Sequence, residues 1–284
     1  MLPKADLHLH TKYSHGLETP EKMYGEALEK GLHLVGFSEH SPRPAGFDYT
    51  HEYRDKLTQH LSDYVREVCA LKEAPRKAND GILCQVLFGM EMDWLEGEFD
   101  FARRSAQAFD FDYLIGSVHF IGHWGFDDGR GPWTTASEEQ CFSWYKAYFT
   151  AWEAMLSSRL YAIAAHPDLI KIFSVERFHR WLAQSENAAQ VGHCLEILGK
   201  NGMAMEISSA GLRKACHEIY PCPEIMEMAA RLHLDITFAS DAHAPKDVAY
   251  GFDELARYAA SFGFTSHVSF DHGQKTRFSF SGDE

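Results

Sequence analysis

Short apolar runs alternate along the chain with longer stretches in which apolar residues recur at helical spacing. The runs at 5–10, 34–40, 86–93, 113–120, 161–166, 203–208 and 235–240 predict strands. The periodic stretches predict helices over 20–30, within 53–73, and over 138–156, 175–183, 188–200, 223–232 and 248–262. Thr19 followed by Pro20 marks a helix start, since threonine can cap free N–H groups and proline lacks one that would go unbonded. Asn79-Asp80-Gly81 marks the turn before the third strand. A short strand at 267–270 follows the last helix, and the polar tail 273–284 reads as peripheral. Strands alternating with helices imply parallel β-α units, and seven of them imply a closed or nearly closed barrel. An open doubly wound sheet has the same periodicity. The chain carries no internal repeat, low-complexity tract or Pro/Gly-rich linker, so one domain over 1–284 is expected, and 284 residues is an ordinary length for one barrel.

Composition narrows the function. Hydrophobic residues make up 45% and charged residues 24%, enough for a large core and a rigid site. The formal net charge of −14 argues against a nucleic-acid backbone as partner. It leaves room for an anionic substrate, because metal cations can reverse the field inside a cleft. The six cysteines form no C-x-x-C pair, which fits a reduced, cytoplasmic protein with buried thiols. The start MLPKADLHLH lacks the apolar run of a signal peptide, and no stretch approaches the ~18 apolar residues that span a bilayer.

The 17 histidines matter through their positions. His8 and His10 end the first strand, His40 the second, His119 the fourth and His166 the fifth. Glu91 lies late in the third, Asp241 and His243 follow the seventh, and His15 sits in the loop after the first. In a parallel barrel these ends converge on the rim where active sites are built. His8 and His10 are two residues apart and so share a face of their strand, and Asp241 and His243 repeat the spacing. A lone histidine at a strand end is usually a packing residue; convergence from six elements is a different matter. His33, His51, His60, His179, His193, His217, His233, His267 and His272 fall in predicted helices, turns or the tail, where packing or surface roles are expected. Glu91 follows the apolar run Val86 to Met90, where a buried acid needs a partner. Nine nitrogen and oxygen ligands without a thiolate suit zinc, manganese or iron(II). They are too many for one tetrahedral ion but suit two or three ions sharing a carboxylate. Such clusters bind phosphate and lower the pKa of water.

In chain order the motifs are Asp6-Leu7-His8-Leu9-His10, Ser14-His15-Gly16, Ser38-Glu39-His40, Gly89-Met90-Glu91, Ser117-Val118-His119, Ala165-His166-Pro167 and Ser240-Asp241-Ala242-His243. This series resembles the polymerase and histidinol phosphatase (PHP) superfamily over about residues 5–255. The resemblance implies a distorted (β/α)7 TIM-like barrel holding up to three divalent transition-metal ions. It implies that His8, His10, Glu91 and Asp241 hold one ion and that His15, His40 and His243 hold a second. Glu91, His119 and His166 would hold the third, making Glu91 the bridge, with a hydroxide between metals as nucleophile. Asp241, His243 and Glu91 would be the catalytic residues. The stretches 207–214, 218–221, 240–248 and 251–253, and Val118-His119-Phe120 leading into Trp124-Gly125-Phe126-Asp127, resemble the histidinol phosphatase branch. Many stand-alone PHP phosphoesterases have Ser-Asp-Gly where this chain has Ser14-His15-Gly16, a departure that favours a filled third metal position.

The branch resemblance implies a phosphoric monoester hydrolase acting on L-histidinol phosphate in histidine biosynthesis. The alternative is a broader PHP phosphoesterase acting on nucleotides or other small esters; a third reading is a non-catalytic metal-binding domain. Arg213 matches a branch-like position and is the expected phosphate clamp. Lys171 and Arg43 are further clamp candidates, with an ordinary surface charge the expected role of each. The loop 122–133 offers Trp124, Phe126, Asp127, Asp128 and Trp133 to the organic end of the substrate, or simply packs onto the barrel. The expected partner is a small-molecule phosphate ester, with no nucleic acid and no membrane.

Overall fold

The computed structural model describes residues 3–49 and 54–280, and in it the apolar runs form one sheet of seven parallel strands. In order these are β1 (Ala5–Leu9), β2 (Leu34–His40), β3 (Leu83–Asp93), β4 (Tyr113–Ser117), β5 (Ile163–Ala164), β6 (Ala204–Ser208) and β7 (Asp235–Ala239). Each strand pairs with the next in sequence, so the intervening helices all serve as crossovers. The two outer strands come together past the end of β7. His10 N donates to Ala242 O at 2.9 Å and Ala242 N to His8 O at 3.2 Å. This seam at the carboxyl rim makes the sheet a nearly closed barrel and excludes the open doubly wound alternative.

Local signals explain the helices. Thr19 caps helix Pro20–Glu29 by accepting from Lys22 N at 3.3 Å, with Pro20 at the first helical position. Ser137 does the same for Glu138–Ser158, accepting from Gln140 N at 3.2 Å. That helix buries Cys141, Tyr145, Tyr148, Phe149, Trp152, Met155 and Leu156, a run at helical spacing, against the barrel. It ends at Arg159, whose φ of 59° cannot continue a right-handed helix.

The amino half of the barrel interior is apolar. Leu7, Leu34, Leu87, Ile115 and Ile163 form it around Tyr113, whose hydroxyl donates to Leu7 O at 2.6 Å. The ring crosses so closely that a Cβ added at Gly36 would lie 2.1 Å from the Tyr113 hydroxyl oxygen, and one at Gly89 2.6 Å from its Cζ. Val268 and Phe270 join this cluster. They come from β8 (Ser266–Asp271), which pairs antiparallel with β9 (Gln274–Ser279). Burial of each such side chain contributes about 1.5–3 kcal/mol.

The departures from expectation have physical causes. The tail is a strand, not a loose end, and Phe280 is 3% exposed against Phe238. Its residues 281–284 lie outside the described residues, as do His51 and the first residue of the second predicted helix. The last helix begins at Phe252, not 248, because Ala249 (φ 50°) and Gly251 (φ 66°) are left-handed. The fourth strand's ladder stops at Ser117; Phe120–Ile121 turns out to pair with Trp124–Gly125. The helix Phe99–Ala106 was not expected: it buries only Ala102, which leaves no periodic apolar signal. The six cysteines are free thiols, five of them buried. No helix among the described residues is long and apolar enough to cross a membrane.

Candidate metal centre

The imidazoles of His8 and His10 reach the interior through an irregularity in β1. Its register against β2 slips between Asp6 and Leu9. Leu7 therefore stays in the apolar interior cluster while both histidines also face inward above it. Asp6, the acid that opens the first motif, is not aimed at this centre. It accepts from Ser240 N at 3.0 Å, Ser240 Oγ at 2.5 Å and Ala249 N at 2.9 Å, tying β1 to the end of β7.

Glu91 stands in the middle with its two oxygens divided. Oε2 lies 3.0 Å from His40 Nδ1, 3.2 Å from His8 Nε2 and 3.4 Å from His10 Nε2. Oε1 lies 3.1 Å from His166 Nε2 and 3.6 Å from His119 Nε2. Asp241 Oδ1 is 3.3 Å from His10 Nε2. The His15 ring lies 4.2 Å from that of His243, tilted against it, and stacks 5.0 Å from that of His40. All nine expected ligands thus converge. Three sets have ligand atoms within 4.8 Å of one another: His8, His10 and Glu91; His10, His40 and His243; and Glu91, His119 and His166.

Three carboxylates that the sequence reading left out hold the histidines from behind. His8 Nδ1 is 2.7 Å from Glu206, His10 Nδ1 3.3 Å from Glu39, and His119 Nδ1 2.5 Å from Asp93. Each contact directs the opposite nitrogen into the centre, the arrangement that orients histidine toward a metal. A signal existed: Glu206 and Asp93 are acids inside apolar strands, the same pattern that singled out Glu91.

The residues fit metal ions. The buried Nε2 of His243 has no hydrogen-bond partner, a costly state without a ligand, and the Nε2 atoms of His8 and His10 make no aligned hydrogen bond although carboxylate oxygens lie 3.2–3.4 Å away. Burial opposes ionisation of Glu91, but the charges of His8 and His119 hold its carboxyl well below the usual range. Burial likewise opposes ionisation of Asp241, and the charge of Lys214 outweighs it. Burial and the charge of His10 lower His243 to about 3, so its imidazole is neutral. The ionised carboxylates and the neutral His243 are ligand forms as they stand; His8, His10 and His119, raised by the neighbouring carboxylates despite burial, would give up a proton to a bound ion.

A cleft of about 280 Å³ opens over the centre, lined by Glu91, His119, His166, Asp241 and His243 together with Tyr49, Asp127, Asp128 and Lys214. Arg213, the expected phosphate clamp, does not line it. Its guanidinium donates to the Ser240 carbonyl and lies 3.2 Å from Asp247 Oδ2, and the next residue, Lys214, faces the cleft instead. Lys171 and Arg43 are neither clamps nor surface charges. Lys171 is fully buried against Asp168 and Glu218, each at 2.8 Å, and Arg43 is buried beside Asp93 and the Phe47 carbonyl. Phe126 and Trp133 pack the rim loop onto the barrel, with Trp133 Nε1 donating to Phe126 O at 2.8 Å. Its acids, Asp127 and Asp128, are what reach the cleft. Of the nine histidines set aside, those among the described residues do not line it.

Comparison with known proteins agrees with this geometry. The PHP domain family model matches residues 6–210. A Deinococcus radiodurans protein named "Probable histidinol-phosphatase" is 31% identical over 94% of this chain and 96% of its own length. A Bacillus subtilis histidinol-phosphatase is 26% identical over 89% of this chain and 98% of its own. A Lactococcus lactis histidinol phosphate phosphatase, solved as a complex with zinc, L-histidinol and phosphate, superposes with a TM-score of 0.75. That match covers 97% of this chain and 100% of the other, at 20% identity. The chain belongs to the PHP domain family, in its histidinol-phosphatase branch.

Proposed function

We propose that this chain, as one PHP phosphoesterase domain over 1–284, hydrolyses L-histidinol phosphate to L-histidinol and phosphate in cytoplasmic histidine biosynthesis. The observation that carries the reading is Glu91, a buried carboxylate whose two oxygens serve two separate sets of histidines at the floor of a small cleft. His8, His10, Glu91 and Asp241 would hold one divalent ion. His15, His40 and His243 would hold a second, and Glu91, His119 and His166 a third. Zinc, manganese and iron(II) all suit this ligand set. Two or three such ions supply positive charge for phosphate oxygens and acidify water for attack.

The rest of the work falls to the chain. The Lys214 ammonium, on the cleft wall beside Asp241, is placed to take a phosphate oxygen as a point charge. Asp127 and Asp128 stand on the rim loop, where the amine and imidazole of the substrate need acceptors. Tyr49 donates to Asp127 Oδ1 at 3.1 Å and sets the orientation of that carboxylate. Contacts made far from the phosphorus orient the phosphate for attack. A cleft of about 280 Å³ suits a small ester and leaves little room for an oligonucleotide. The test is a substrate panel on metal-loaded protein: release of phosphate from histidinol phosphate, abolished by chelation, supports the reading. Protein that holds metal but leaves histidinol phosphate intact rejects it.

A further inference from the structure

Asp241 occupies a left-handed backbone conformation, which aspartate tolerates better than most side chains but which only glycine adopts without cost. Its φ of 50° lies in the left-handed region, which costs a non-glycine residue of order 1 kcal/mol or more. Glycine would relieve the strain but remove the carboxylate, so the restraint has to come from neighbours. Two side chains grip the Ser240–Asp241 segment from opposite directions. Asp6, fully buried, takes the N–H and hydroxyl of Ser240. Arg213 takes the carbonyls, donating Nη2 to Ser240 O and, at 3.4 Å, toward Asp241 O. The Arg213 fork is anchored in turn by Asp247 Oδ2, 3.2 Å from Nη1, and its face lies 5.4 Å from the Tyr250 ring. The carbonyl of Asp241 also faces His243 Nδ1 at 3.0 Å, so whatever fixes that carbonyl bears on His243 as well.

We propose that Arg213 is a positioning residue that holds Asp241 and His243 on the metal centre through the carbonyls of Ser240 and Asp241, and that it does not grip substrate phosphate. The inference rests on the reading of Asp241 and His243 as metal ligands. A planar guanidinium can serve two carbonyls and a carboxylate at once, whereas an ammonium offers no such fixed fork. The neighbouring cations therefore divide their work. Lys214 faces the cleft, and Arg213 sits behind the turn that carries the ligands.

The test uses full-length wild type, Arg213→Lys, Arg213→Ala and Asp247→Asn, each loaded with zinc. One readout is zinc retained per chain against a graded chelator. The other is inhibition by inorganic phosphate in enzyme kept saturated with zinc. Both Arg213 variants should surrender zinc at about 10–100-fold lower chelator, the effect of losing an outer-sphere support, while phosphate inhibition stays at the wild-type level. Asp247→Asn should shift zinc retention the same way, and it carries the test together with Arg213→Lys if Arg213→Ala does not fold. Wild-type zinc retention with weakened phosphate inhibition would overturn the proposal in favour of a phosphate clamp; wild-type values in both readouts would overturn it in favour of a passive turn residue. Wild-type protein that holds none of zinc, manganese and iron(II) would instead refute the underlying ligand reading, and the inference would fall with it.

Discussion

Lys214 Nζ lies 3.1 Å from Oδ2 of Asp241, so a cation on the cleft wall is paired with a carboxylate of the candidate metal centre. The pair is only partly screened by water, with the Lys214 side chain 33% and that of Asp241 5% exposed. An arriving phosphate dianion offers the ammonium a second partner without requiring it to leave the cleft. Lys214→Met keeps most of the side-chain stem and removes the charge. It should lower kcat/KM by about 10–100-fold, the equivalent of about 1.4–2.7 kcal/mol, with metal content unchanged. Steady-state kinetics and elemental analysis on the same preparation check this; an unaltered kcat/KM removes Lys214 from the substrate site.

Glu91 makes a sharper case because both of its oxygens are committed. Glu91→Gln preserves the shape, halves the set of oxygens available and removes the charge that offsets the surrounding cations. Metal content and turnover should fall together, turnover by about 100-fold or more. Near-normal turnover at full metal content would show that another group bridges the centre.

How much of this was legible beforehand depends on the kind of interaction. The seven barrel strands follow from apolar runs, and the convergence of the nine candidate ligands follows from their places at or just after strand ends. The β1 slip that turns His8 and His10 inward beside Leu7 has no sequence signature. Neither has the split between Arg213 and Lys214, adjacent cations whose directions depend on a turn after β6 and on partners at Asp247 and Asp241. Trp133 and Phe126 illustrate the limit from the other side: aromatic content located the rim loop, but only packing tells which residues of it bury and which reach the cleft.

Asp127 and Asp128 should discriminate between substrates. Either residue changed to asparagine should raise KM for histidinol phosphate by roughly 10-fold, about 1.4 kcal/mol, and leave p-nitrophenyl phosphate unaffected, because that ester has no cationic end. An equal loss on both esters would place these acids in metal or phosphate binding.

His267 lies away from the cleft, buried among Phe238, Phe278 and Phe280. Burial lowers it to about 4. The folded form keeps the imidazole neutral, while the unfolded form takes up a proton below its ordinary pKa of about 6.5. The neutral state therefore contributes fully above pH 6.5, and up to about 3 kcal/mol is lost as pH falls from 6.5 toward 4. His267→Phe should flatten the pH dependence of Tm across that window. An unchanged slope would show that His267 is already protonated in the fold.

The central claim is that this metal centre serves a small, cationic phosphate ester. It is tested most directly by kcat/KM of the metal-loaded protein for histidinol phosphate against p-nitrophenyl phosphate and nucleotides. The account expects histidinol phosphate to exceed the others by at least ~100-fold, about 2.7 kcal/mol of transition-state discrimination. Equal values across the panel would contradict it and leave a broad PHP phosphoesterase in its place.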